Sequence, residues 1–365
     1  MPTTYIRQLR LSHFRSHKAA HLDLDGRPVV LYGANGAGKT NVLEALSLLS
    51  PGRGLRRADS AELMRRPETL GWRIDALLRA DGRDHALASR ATPGQPRTVE
   101  IDGKPAPQTA LGQLMRVLWL VPAMDRLWTD GSAERRRFID RLALSFNPAH
   151  AEATLIYEKA MRERNRLLKD QVRDAAWYEA LEHQMAQSGA AISQTRNWVV
   201  KRLARAQDGA ATTFPVAQLA INPGDDTPDD DLATVLARGR SRDMAAGRTL
   251  SGPHRADLQA VYAEKSIAAH LCSTGEQKAL LISLVLAAAR ALLEDTGATP
   301  LLLLDEVAAH LDATRRAALY DEICTLGAQA WMTGTGAELF EDLGERAMQF
   351  EVSERDGASQ LRVQS

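Results

Sequence analysis

The 365-residue chain has only two cysteines, Cys272 and Cys324. That excludes a disulfide framework and a cysteine-rich metal site, and it suits a reducing compartment. Net charge is absent as well, because 46 Lys+Arg are matched by 46 Asp+Glu. Contact with a polyanion must then come from local basic patches. Aromatic residues are scarce at 5%, and few interleave with the basic clusters, so stacking on unpaired bases is not the obvious mode. No apolar signal core follows Met1, and the apolar stretches near Leu280 and Leu301 are too short or too interrupted to span a bilayer. A cytoplasmic protein with no membrane segment is expected. No internal repeat or low-complexity tract stands out. The remainder, 44% hydrophobic and 25% charged, is ordinary globular composition. The length allows one large domain with an insert, or two domains.

The patterning changes along the chain. Alternation through Ile6, Leu9, Leu11 and Phe14, and again over His21–Asp25, predicts short strands. Pro28–Tyr32 reads as a buried strand that runs into a glycine-rich loop, and 41–49 as a helix with an apolar stripe. Between Trp72 and Gln108, Asp81-Gly82 and Asp102-Gly103 mark hairpin turns. Val117–Val121 reads as another buried strand. From about Ser132 to Ala206 the pattern becomes helical. Ile156, Ala160, Leu167, Leu168 and Val172, then Trp177, Leu181, Met185, Ile192 and Val199, recur at helical spacing. A helical arm folded back on itself is expected, followed by an acidic surface loop over 222–231. Strands return near 258–262. A helix over 276–294, a strand over 300–304 and a helix over 313–326 follow.

Three motifs carry chemistry. Gly33-Ala34-Asn35-Gly36-Ala37-Gly38-Lys39-Thr40 matches a phosphate-binding loop, with the strand before it and the helix after it that such a loop needs. Its backbone N–H groups would turn toward phosphate oxygens, Lys39 would reach the β- and γ-phosphates, and Thr40 would offer a hydroxyl to Mg²⁺. Leu301–Leu304 ends on Asp305-Glu306. Beside a phosphate loop, Asp305 would serve Mg²⁺ and Glu306 would polarise the attacking water. A solvated strand end leading to a helix cap is the plainer account of the same pair. Ser273-Thr274-Gly275-Glu276-Gln277 opens the helical run and is either an anion site or an ordinary capping box. Basic residues cluster twice. Arg135 to Arg173 holds ten Lys/Arg against five Asp/Glu, starting with Arg135, Arg136 and Arg137. Ser50 to Arg66 holds Arg53, Arg56, Arg57, Arg65 and Arg66. Either cluster would suit salt-dependent contacts to a DNA backbone. A solvated helix face laced with ion pairs accounts equally well for the first.

The order of these motifs resembles the ABC-type ATPases, in which the signature segment of one subunit closes over the nucleotide of the other. The long gap between Lys39 and Ser273 resembles the SMC-like branch. Leu250–Leu258, with its Gly-Pro-His-Arg core, Arg135–Arg141, and Phe14-Arg15-Ser16 resemble segments of the RecF family of DNA repair proteins. The likeness runs nearly the whole length. It implies an α/β fold, an ABC-type P-loop ATPase head with an inserted helical arm domain. The head would comprise residues 1–131 and 246–365, and the arm 132–245. It further implies ATP and Mg²⁺ as cofactors, Arg15 among the nucleotide contacts, and Ser273 and Gly275 acting on the nucleotide of a second copy. DNA binding, an ATP-dependent homodimer, and RecR and RecO as partners in loading RecA belong to the same implication. Three positions depart from the wider ABC pattern: Thr274 and Glu276 in the signature, Pro122–Asp125 where a glutamine is usual, and Trp331–Thr335 where a histidine is usual. The remaining alternatives are an ATPase subunit driving a membrane transporter and a chromosome-organising protein of the SMC type.

Overall fold

The computed structural model describes residues 3–210, 212–224 and 231–364; the acidic stretch 225–230 lies outside them. The chain divides into two compact units. One comprises Met1–Asp125, Gly209–Pro215 and Thr274–Ser365, and the other Arg126–Asp208 and Val216–Ser273.

The first unit begins with β1 (Tyr5–Phe14) and β2 (His17–Asp23), an antiparallel pair. A register shift between Ile6 and Gln8 lets β1 bury Ile6, Leu9, Leu11 and Phe14 on one face. β3 (Val29–Tyr32) is buried and feeds the glycine-rich loop, which opens α1 (Lys39–Ser47). β4 (Trp72–Ala80), β5 (Arg83–Ala91), β6 (Thr98–Ile101) and β7 (Lys104–Ala106) follow. The expected turns are present, with Asp81, Gly82, Asp102 and Gly103 all at positive φ. That conformation matches the right-handed twist of the paired strands. A short α2 (Leu111–Leu114) precedes β8 (Val117–Leu120).

In the second unit, α3 (Ser132–Phe146), α4 (Ala149–Lys169) and α5 (Ala175–Gln207) provide the expected helices. β9 (Ala217–Asn222), α6 (Leu232–Arg238), α7 (Arg240–Ala246), β10 (Asp257–Tyr262) and β11 (Ile267–Ala268) complete it. β10 pairs with both β9 and β11, so residues 246–273 cluster with the helices and not with the first unit. The apolar stripe on α5 follows the expected one through Met185, Ile192 and Val199 and departs from it only at its start. Trp177 is 64% exposed and Tyr178 is buried, and the inward face continues through Glu182, Met185, Ile192, Arg196 and Val199. Two charged residues on that face hide its period from a hydrophobicity count.

Those charges are compensated. Fully buried Arg164 donates to Glu182 (3.1 Å), Asp243 (2.7 Å), Thr249 (2.8 Å) and the Leu236 carbonyl (3.0 Å). Loss of one member of such a network costs about 3–5 kcal/mol, because a buried charge is left alone.

Back in the first unit come α8 (Thr274–Thr296), β12 (Leu301–Leu304), α9 (Ala313–Leu326), β13 (Ala330–Gly334), β14 (Met348–Arg355) and β15 (Ala358–Val363). Two six-stranded sheets result. The antiparallel one has the order β2-β1-β4-β5-β6-β7. The other has the order β15-β14-β3-β13-β12-β8 and is parallel from β14 to β8. Ile6, Leu9, Leu31, Leu43, Leu46, Leu303 and Trp331 belong to one core that joins both sheets and α1. Buried Gln329 stitches the sheets directly. Its amide accepts from Ile6 N (2.9 Å) and donates to Ile6 O (3.0 Å), as a strand partner would.

Candidate nucleotide site at the strand ends

Chains of this kind place functional groups at the carboxyl ends of parallel strands. Here β3 ends in the glycine-rich loop, β12 ends in Asp305-Glu306, and β13 lies between them. Gly33 has φ 148°, and a Cβ there would lie 2.0 Å from the Val352 carbonyl oxygen. Gly38 has φ 105°, and its Cβ would lie 2.2 Å from Ser359 Oγ. Only glycine lets the loop lie this close to β14 at Val352 and to β15 at Ser359. Gly38 caps α1 with no side-chain bond, and the first turn of the helix has no acidic residue. The positive end of α1 is thus left for an external anion.

Lys39 is buried and donates from Nζ to the Gly33 carbonyl (2.6 Å) and the Ala34 carbonyl (2.9 Å). Desolvation lowers its pKa from the ordinary lysine value, against the upward pull of the Glu306 and Asp305 charges. The carboxylates thus offset part of the cost of burying the ammonium before any phosphate arrives.

Four residues meet at the strand ends. Thr40 Oγ1 donates to Asp305 Oδ1 (2.8 Å), and Thr333 Oγ1 donates to the same oxygen (2.7 Å). Thr333 Oγ1 also accepts from the Glu306 N–H (2.9 Å). Glu306 sits at φ 54°, a left-handed position for a non-glycine residue. The Thr333 bond and the strand bond from Asp305 N to Leu120 O (2.9 Å) hold the backbone on either side. Thr333 is the residue that sequence reasoning missed. It stands where a histidine was sought, and its role shows only once β13 lies between β3 and β12.

A hydroxyl and a carboxylate oxygen on one spot suit a hard divalent cation such as Mg²⁺, which keeps most of its ligands as water and phosphate. No group of three or more His, Cys, Asp or Glu able to hold a metal occurs among the described residues. The Thr40 hydroxyl and the Asp305 carboxylate would fit a cation brought with a nucleotide.

Arg15, at φ 53°, forms a two-pronged pair with buried Glu44 of α1 (2.9 and 2.8 Å) and donates to the Glu62 carbonyl (2.8 Å). Arg56 shares Glu44 (3.2 Å) and also donates to Asn41 (2.9 Å). Arg53 pairs with Asp59, and Arg57 is exposed. Arg65 is buried and donates to the carbonyls of Ser16 (2.9 Å) and Gly357 (2.8 Å). It is a fastener inside the first unit, not part of a surface patch.

The signature residues Ser273, Thr274 and Gly275 are exposed, and a Cβ on Gly275 would meet nothing within 4 Å. Buried Lys278, on α8, pairs with Asp125 (3.4 Å) in the segment that replaces the usual glutamine. In the second unit, Arg135 grips Asp257 with two bonds (2.7 and 3.0 Å), and Arg136 donates to the Ala256 carbonyl (2.7 Å). Arg137 pairs with Glu134, one turn away. The arginine-rich and Gly-Pro-His-Arg segments, distant in sequence, are thus fastened together there. Arg196 adds a bond to the Pro253 carbonyl (2.7 Å), and Tyr157 donates to His254 Nδ1 (2.7 Å).

Residues 5–359 match the family model described as the RecF/RecN/SMC N-terminal domain. The chain is 48% identical over 366 residues to the DNA replication and repair protein RecF of Rhizobium rhizogenes, covering 96% of this chain and 97% of that one. It is 46% identical to RecF of Mesorhizobium japonicum, covering 94% and 95%. Among solved structures, the recombination mediator protein RecF with ATP superposes with TM-score 0.84 at 23% identity, over 100% of both chains. An Smc head domain from Pyrococcus furiosus superposes with TM-score 0.56 at 17% identity, over 99% of this chain and 96% of that one. The folds therefore coincide well beyond the reach of sequence identity, and the chain belongs to the RecF family of DNA replication and repair proteins.

Proposed function

We propose that the protein is an ATP-dependent DNA-binding clamp of recombinational repair. The observation that carries this reading is the hydrogen-bonded set of Thr40, Asp305, Thr333 and Glu306 beside Lys39. Its donors and acceptors are those of a nucleoside-triphosphate site. In this reading the backbone of Gly33–Thr40 and the Lys39 ammonium hold the phosphates. Thr40 and Asp305 would hold Mg²⁺, which would supply neutralisation of phosphate charge. Glu306 orients the attacking water, its backbone held in the left-handed region by the bond to Thr333. Arg15 completes the nucleotide contacts when it leaves Glu44.

Exposure of Ser273 and Gly275 supports a role on the nucleotide of a second copy. Two copies would then enclose two ATP molecules and close over DNA, and slow hydrolysis would release them. Arg53, Arg56 and Arg57 are proposed as DNA-backbone contacts. Arg135, Arg136 and Arg137 were expected beside them; the bonds of Arg135 to Asp257 and of Arg136 to the Ala256 carbonyl favour a bracing role for those two, and Arg137 stays a proposed DNA contact. The head proposed here is the first unit, with residues 126–208 and 216–273 as the arm. Family membership supports RecO and RecR as partners in loading RecA and a cytoplasmic setting. No helix among the described residues is long and apolar enough to cross a membrane. The transporter alternative has no support.

Light scattering with no nucleotide, ADP or ATP, each with and without duplex DNA, tests the reading. A dimer is expected with ATP only, and Lys39→Ala is expected to abolish it. A monomer under every condition, or full dimerisation of Lys39→Ala, would refute the clamp.

A further inference from the structure

The turn that carries Arg53, Arg56 and Arg57 is fastened to α1 at three places. Arg97, between β5 and β6, donates Nη1 to the Gly52 carbonyl (2.7 Å) and Nη2 to those of Leu48 (2.7 Å) and Ser50 (3.3 Å). These carbonyls lie just beyond the C-terminal end of α1, where the negative end of a helix attracts a cation. The last turn of α1 has no basic residue of its own. Arg97 supplies that charge from a distant strand pair. Desolvation lowers its pKa to about 10, so it remains a cation at neutral pH. The second fastener is Ser47, whose Oγ accepts from Leu55 N (2.9 Å) and donates to the Glu44 carbonyl (2.7 Å). The third is Arg56 on Asn41 and Glu44. Asn41, Glu44 and Ser47 all belong to the helix whose other end is the phosphate loop.

We propose that Arg97 is a positioning residue that locks the basic turn 52–57 to α1, so that the state of the phosphate loop is passed to a DNA-backbone contact. This rests on the function proposed above. Among the described residues its guanidinium bonds the backbone carbonyls of Leu48, Ser50 and Gly52, so its effect is on coupling and not on either ligand directly. A helix moved at its N-terminus by a bound triphosphate carries the turn as a rigid extension. Without Arg97, the turn keeps the Leu55–Ser47 bond and the two bonds of Arg56, and its arginines sample more positions.

The test compares duplex-DNA affinity in ATP and in ADP, by anisotropy of a labelled duplex, for the full-length protein and for Arg97→Lys and Arg97→Leu. Affinity for a fluorescent ATP analogue and thermal midpoint are measured alongside. Arg97→Lys keeps the charge, but a single ammonium cannot span three carbonyls, and it preserves the fold if leucine does not. The wild type is expected to bind DNA about tenfold or more tightly in ATP than in ADP, a usual size for coupled sites. In Arg97→Lys that ratio is expected to fall below about twofold with nucleotide affinity retained. A variant with the wild-type ratio would overturn the inference while leaving the clamp intact. A parallel loss of ATP affinity would also overturn it, by placing Arg97 in the nucleotide site. No ATP effect in the wild type would remove the clamp and this inference together.

Discussion

Replacement of Thr333 by valine removes one oxygen and little volume, yet that oxygen makes two bonds. It donates to Asp305 Oδ1 at 2.7 Å and accepts from Glu306 N–H at 2.9 Å. Asp305 is buried and keeps Thr40 as a donor to that oxygen. The Glu306 N–H loses its side-chain partner at a left-handed residue. A bond to a charged group contributes about 1.5–3 kcal/mol, and an orphaned donor costs about 1–3 kcal/mol, so a loss of roughly 2.5–6 kcal/mol is expected. For a unit of this size that is a fall of roughly 5–24 °C in its thermal midpoint. The chemical consequence is larger than the stability one. With its backbone released, Glu306 loses aim, and a misplacement of about 1 Å costs about a hundredfold in rate. Single-turnover ATP hydrolysis is expected to drop by about ten- to a hundredfold while ATP affinity is retained. Thr333→Ser restores both bonds and both readouts. A Thr333→Val protein that melts and hydrolyses like the wild type would refute the bridging role.

Glu306→Gln is expected to bind ATP and dimerise yet turn over slowly, leaving a trapped dimer in gel filtration; normal turnover would remove Glu306 as the group that activates water. Ser273→Arg puts a bulky cation on the exposed signature segment and is expected to block the ATP dimer while monomers still bind ATP. Impaired monomer binding would instead place Ser273 beside its own nucleotide. His254 is desolvated, with its pKa lowered from 6.5 to about 4, and its neutral ring accepts from Tyr157 and donates to the Thr249 carbonyl. The unfolded chain binds that proton first, so its contribution is complete above about pH 6.5 and is lost as pH falls toward 4, on the order of 3 kcal/mol in all. Urea midpoints of His254→Gln between pH 7 and pH 4 are expected to fall less steeply than those of the wild type; parallel curves would refute the assignment.

Local physics made much of the architecture legible. Alternation marked the strands, Asp-Gly pairs marked two hairpin turns, and helical spacing marked α4, α5, α8 and α9. The phosphate loop and the Asp305-Glu306 pair were readable because a tight glycine turn and a carboxylate pair on an apolar strand are properties of consecutive residues. The α5 stripe was misplaced at Trp177 because Glu182 and Arg196 occupy buried positions that only their partners make tolerable. β9 was missed, since six residues of mixed polarity signal little until β10 lies alongside.

The sequence by itself determined which groups with affinity for phosphate and cations the chain possesses, because those depend on short runs of neighbours. Tertiary structure alone decided which of them meet. β13 enters between β3 and β12, and this brings Thr333 to Asp305 and Glu306 across 27 or more residues of chain. Arg97 reaches the end of α1 by the same logic. Hydrogen bonds are short and directional, so a partner fixed by strand order leaves no trace in spacing along the chain.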